Sequence, residues 1–84
     1  MGGDDEIAVV EYEGEWYVHQ VFGGNAWLAI VNGKRFQNYI EASSYAYSFC
    51  DQDTQYGVCV YKKYQPSQVA LNRMEKKGWK KSTF

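Results

Sequence analysis

One proline, one histidine and two cysteines stand in a chain of 84 residues, and each scarcity removes a class of function. With His19 as the single histidine, a Ser-His-Asp or Cys-His arrangement would have to be built on it. It falls mid-strand beside Tyr17 and Val21, and no local motif supplies the orienting partner that general-base work needs. It reads as a sheet-face residue. One histidine and two cysteines cannot complete a four-ligand zinc site without a carboxylate, and Cys50 and Cys59 are too far apart in sequence for a zinc knuckle. Both cysteines lie in apolar or aromatic surroundings, where cysteine behaves as a small hydrophobe.

Asp51-x-Asp53-x-Gln55 begins like a calcium loop. The resemblance ends at Gly57, one position late for the loop glycine, and at Lys62, where a bidentate glutamate is required. No glycine-rich phosphate cradle is present, and Gly23-Gly24 and Gly33 read as turns. No catalytic residue, metal or cofactor is expected, and the chain reads as a non-enzyme.

Long apolar runs are absent too. The longest, Ala26 to Val31, is far too short to span a bilayer. The opening Met1-Gly2-Gly3-Asp4-Asp5-Glu6 has neither the basic start nor the apolar centre of a secretory signal. The expectation is a cytoplasmic protein with no membrane association and with free thiols rather than a disulfide.

What the chain has in quantity is aromatic surface: three Trp, eight Tyr and four Phe, each able to bury about 150 to 250 Å². A domain of this size buries only about 60% of its unfolded surface. Some of those rings are therefore expected outside, where Tyr and Trp favour binding surfaces. Charge is sorted along the chain although the net is −1. Asp4, Asp5, Glu6, Glu11, Glu13 and Glu15 precede any basic residue, whereas Lys62, Lys63, Arg73, Lys76, Lys77, Lys80 and Lys81 crowd the end. Opposite ends that attract each other, within one subunit or between two, account for this as readily as two faces with separate partners.

Residues 1–84 read as a single domain, with 1–5 and 80–84 as a mobile lead and tail. Ile7–Tyr12 and Trp16–Phe22 are rich in β-branched and aromatic residues and form a first hairpin. A two-residue loop at Glu13-Gly14 would set Val9 opposite Val18 and Val10 opposite Tyr17; a three-residue loop would shift that pairing. Ala26–Val31, Asn32-Gly33 and Lys34–Phe36 predict a second hairpin on a type I′ turn, with Ile30 opposite Arg35 and Ala29 opposite Phe36.

Residues 39–50 admit two readings. As a helix, Asn38 is the N-cap, Glu41 completes a capping box, and Tyr39, Ala42, Ala46 and Phe49 share a face. As a strand, Tyr45, Tyr47 and Phe49 alternate with small residues, and the protein becomes a small all-β barrel with a C-terminal helix. Residues 51–57 read as a connection and Val58–Tyr64 as a strand whose lysines would protect a sheet edge. Ser67 caps a helix over Gln68–Lys77, ended by Gly78 with Trp79 folded back toward Met74. The fold class is α+β, with a small antiparallel sheet of four strands in the order β-β-β-β-α-β-α.

Two functions fit. The first is a protein-binding module, a small inhibitor or adaptor that occludes a larger partner, as phage proteins directed at host or defence machinery do. Its contacts are Glu11, Tyr12, Glu13, Glu15, Trp16, Tyr17 and Trp27, with Tyr45 and Tyr47 as further exposed aromatics. The alternative is nucleic-acid binding through Lys62, Lys63, Arg73, Lys76, Lys77, Lys80 and Lys81, with Tyr61, Tyr64 and Trp79 as stacking groups. Surplus aromatics and opposite charges at the two ends also suit a homo-oligomer.

Overall fold

The structure is a computed structural model that describes residues 5–50 and 57–79. Strands β1 (Asp5–Tyr12) and β2 (Glu15–Phe22) form the expected hairpin. Glu13 (φ 52°) and Gly14 (φ 83°) both take left-handed backbone, as a two-residue hairpin loop requires. Val9 consequently pairs with Val18, and Val10 with Tyr17.

The second hairpin does not form. Ala26–Val31 was expected as a strand, but helix α1 occupies Trp27–Asn32, and β3 (Lys34–Phe36) joins the free edge of β2. Arg35 lies opposite Tyr17 and Phe36 opposite Trp16, in place of Ile30 and Ala29. Ala26, Trp27, Leu28, Ala29 and Ile30 are all buried. A helix enclosed on every side has no polar stripe, so its composition cannot be told from that of a strand. α1 has no side-chain N-cap bond. What stabilises it is burial, with Leu28 and Ile30 each contributing about 1.5–3 kcal/mol.

Gly33 is needed for space, not for a turn. Its backbone is extended (φ −86°, ψ 173°), its N–H donates to the Ala29 carbonyl at 2.9 Å, and a Cβ placed there would stand 2.3 Å from that oxygen and 2.6 Å from the Val18 carbonyl oxygen.

Helix α2 spans Tyr39–Cys50, which overturns the strand reading and with it the all-β barrel. Asn38 Oδ1 accepts the Glu41 N–H at 2.9 Å, as the cap predicted. Ala42 and Ala46 are fully buried, and their small size brings the helix backbone down on the sheet. The side chains of Phe49 and Cys50, the connection 51–56 and residues 1–4 and 80–84 lie outside the described set, and with them Lys80 and Lys81.

Strand β4 (Gly57–Tyr61) is shorter than the expected 58–64 and runs parallel to β1, so the sheet is mixed, ordered β3-β2-β1-β4. The element order is β-β-α-β-α-β-α. The α+β class stands; the antiparallel sheet and its strand order do not. A parallel return needs a long crossover, and the residues between β1 and β4 include α2, which packs on the sheet.

Helix α3 (Gln68–Lys76) starts where expected, with Ser67 Oγ accepting the Ala70 N–H at 3.2 Å. It ends in a Schellman motif: Gly78 takes φ 93°, its N–H donates to the Glu75 carbonyl, and the Trp79 N–H donates to the Met74 carbonyl.

These elements stack in three layers. α1 and α3 cover Ala8, Val10, Tyr12 and Val21 on one sheet face; α2 covers Ile7, Val9 and Val18 on the other. Ile7 to Val10 are buried without a break because β1 is enclosed from both sides.

Candidate partner-binding surface

The residues expected at a protein interface separate into two groups. Tyr12 and Trp27, expected as exposed anchors, are each only 8% exposed and belong to the core beneath α1 and α3. Tyr12 follows the inward alternation of Ala8 and Val10, and Trp27 faces the sheet from the first turn of α1. Glu11, Glu13, Glu15, Trp16 and Tyr17 gather at the hairpin-turn end of the sheet, and each keeps some exposure.

Around Trp16 the structure assembles a surface of which sequence reasoning had named Trp16, Tyr45 and Tyr47 but not Phe36, Tyr39 or Ile40. The Trp16 ring meets Tyr39 of α2 at a centroid distance of 5.2 Å, and Phe36, paired with Trp16 across the strands, meets Tyr45 at 5.2 Å. Lys34 Nζ lies 5.7 Å and 5.2 Å from the Phe36 and Tyr45 rings. On the outer side of α2, Ile40 is 74% exposed, Tyr47 52% and Tyr39 40%. Ser44 and Ser48 are exposed beside them, and Glu41 is the only charged residue in the helix. A solvent-facing helix normally carries charge on its outer face. That near-absence of charge in YIEASSYAYSFC was the available signal.

The polar residues of the hairpin end lie on the opposite, α1–α3 face of the sheet, where Tyr17 packs. Arg35 Nη1 pairs with Glu15 Oε1 at 3.2 Å, and the Tyr17 hydroxyl donates to the same oxygen at 3.4 Å. Burial raises the Tyr17 phenol above its ordinary range, the Glu15 charge adds to this and Arg35 opposes it. Tyr12 is raised by burial and then by the charge and hydrogen bond of Glu13.

Beside the turn lies an open cleft of about 510 Å³ between residues 11–14 and the β4–α3 connection. Glu11 clamps that connection: its Oε1 accepts the Lys63 N–H at 3.1 Å and its backbone carbonyl accepts the Tyr64 N–H at 2.8 Å.

A third cluster joins β1 to β4. The Glu6 carboxylate accepts a hydrogen bond from Cys59 Sγ at 3.2 Å and another from the Tyr61 hydroxyl. The Cys59 thiol is raised by that hydrogen bond first, then by burial and the Glu6 charge. Burial, followed by the same carboxylate, pushes the Tyr61 phenol well above the normal tyrosine range. A thiol held protonated in this way is a poor nucleophile.

The basic set is placed differently. Lys62, Lys63, Arg73, Lys76 and Lys77 are all exposed. The rings assigned to base stacking are engaged elsewhere. Tyr61 and Tyr64 pack edge to face at 6.0 Å, and Trp79 lies 6.1 Å from Tyr12. His19 lines a hollow with Asn32, Gly33 and Lys34 that contains no carboxylate. Among the described residues no three His, Cys, Asp or Glu side chains converge on a common point, and no helix is long and apolar enough to cross a membrane. The calcium-like stretch lies outside the described residues. No family model, no curated protein and no solved structure matches this chain.

Proposed function

We propose that the chain is a non-enzymatic protein-binding module, a small inhibitor or adaptor that acts in the cytoplasm by occluding a larger partner, in the manner of a phage protein directed at host or defence machinery. The observation that carries this reading is the outer face of α2. Ile40, Tyr39 and Tyr47 are exposed on a helix with a single charge, and Tyr39 packs at a tilt against Trp16. An aromatic, charge-poor helix face with Lys34 at the edge of its ring cluster has the composition of an interface core.

Affinity capture from the native host tests this, comparing the wild-type chain with Ile40→Asp and Tyr47→Asp. Both side chains are exposed, so the fold is expected to survive, as checked by thermal unfolding. Loss of a partner in either variant supports the reading. Capture that is the same in all three chains removes the α2 face as the interface.

Nucleic-acid binding keeps one observation in its favour, the exposure of Lys62, Lys63, Arg73, Lys76 and Lys77. It is the weaker reading, because the rings needed for stacking are held in ring–ring contacts. Labelled oligonucleotides titrated across a salt series decide it: absence of salt-dependent affinity rejects it.

A further inference from the structure

We infer that the cleft between the β1–β2 turn and the β4–α3 connection receives an arginine side chain from an extended segment of a protein partner. Its lining combines Tyr12, Tyr64, Pro66 and Leu71 with Glu11, Glu13 and Lys63. Its volume, about 510 Å³, falls within the range of pockets that hold small ligands.

The walls are already in place. Two hydrogen bonds to Glu11 fix the connection, Tyr12 is braced by Trp79 and Tyr64 by Tyr61, and Leu71 projects from the Ser67-capped helix. A rigid cleft binds without first ordering its own side chains.

The charge selects a cation. Two glutamates line the cleft against one lysine, Lys63, so phosphate and other anions are disfavoured. Arginine suits the site better than lysine because its planar fork can pair with carboxylates through several N–H donors at once. Glu11 Oε2 is left over after its clamp on Lys63, and Glu13 stands at the tip of the turn. An ammonium could use one of these carboxylates but is a point charge without that fork.

This contact takes its partner class from the protein-binding reading but not its location. Tyr12 and Leu71 belong to the α1–α3 side of the sheet and Ile40 to α2 on the other. The ¹⁵N-labelled full chain is titrated with the blocked peptide acetyl-Ala-Leu-Arg-Leu-Ala-amide and with its citrulline counterpart, which is the same shape but neutral. Saturable shifts at the amides of Glu11 to Gly14, Lys63 to Gln65 and Leu71 are expected, with citrulline about tenfold weaker. Glu13→Gln should weaken the arginine peptide severalfold, whereas Glu75→Gln, on α3 outside the cleft lining, should leave it unchanged. Absence of saturation into the millimolar range, equal binding of the two peptides, or shifts centred elsewhere would each overturn the inference. A chain that loses its captured partner on Ile40→Asp yet ignores the peptide refutes the cleft alone; one that binds the peptide but captures nothing refutes the α2 face alone.

Discussion

The hydroxyl of Tyr61, at the end of β4, donates to the carboxylate of Glu6, near the start of β1, and joins the two strands through residues 55 positions apart in sequence. In the folded chain the phenol is held neutral by burial and by that carboxylate, so its pKa lies above the ordinary 10.0. A folded-state value above the unfolded one contributes stability that is complete below the unfolded pKa and is lost as pH rises through the folded one. The urea midpoint of the wild-type chain should therefore fall steeply above about pH 10. Tyr61→Phe should show a shallower alkaline decline, with Tyr12, Tyr17 and Tyr64, which are also raised, accounting for the remainder. Equal slopes in the two proteins would show that Tyr61 carries no such linkage.

The same carboxylate governs Cys59. In a Cys50→Ser background, which leaves one thiol, reaction with a disulfide reagent near neutral pH should be slower than for a free cysteine. Glu6→Gln removes the charge that raises the thiol, and modification should accelerate severalfold because the thiolate is the reactive form. An unchanged rate would place control in burial alone.

Gly33→Ala should destabilise the fold by about 1–3 kcal/mol or more, because the new methyl meets two backbone carbonyl oxygens that have no easy retreat. Gly57→Ala, where nothing lies within 4 Å, is the control and should shift stability by less than about 1 kcal/mol. Chemical denaturation of both variants measures the difference.

Asn38→Ala and Ser67→Ala each remove one helix cap and should each cost about 1 kcal/mol. α2 and α3 lie on opposite faces of the sheet, so the double variant should be additive to within about 0.5 kcal/mol. Asn38→Asp, which keeps an acceptor at the cap, should retain most of the stability.

Features carried by neighbouring residues could be read directly. The Glu13-Gly14 loop, the Asn38 and Ser67 caps and the Gly78 ending each depend on backbone and side-chain groups within a few positions of one another. The candidate surface was legible only in part. Glu11, Glu13, Glu15, Trp16 and Tyr17 lie where the hairpin register puts them, but exposure is a property of the packed molecule. Nothing local distinguishes Trp27, in the core, from Trp16, at the surface.

The chain's own residues determined the first hairpin and the Ser67-capped helix, and narrowed the hairpin register and residues 39–50, with the fold class that hangs on them, to two readings each. The tertiary structure decided the rest. Ala26–Val31 is apolar throughout and suits either a strand or an enclosed helix. In the folded chain Trp27 to Ile30 pack with Ala70 and Met74 of α3 over the same sheet face. β4 pairs with β1 across about fifty residues, and its parallel direction follows from a crossover through α2 that no short window encodes. Both outcomes turn on which apolar surfaces remain to be covered once the hairpin has formed, a question that only the assembled layers can answer.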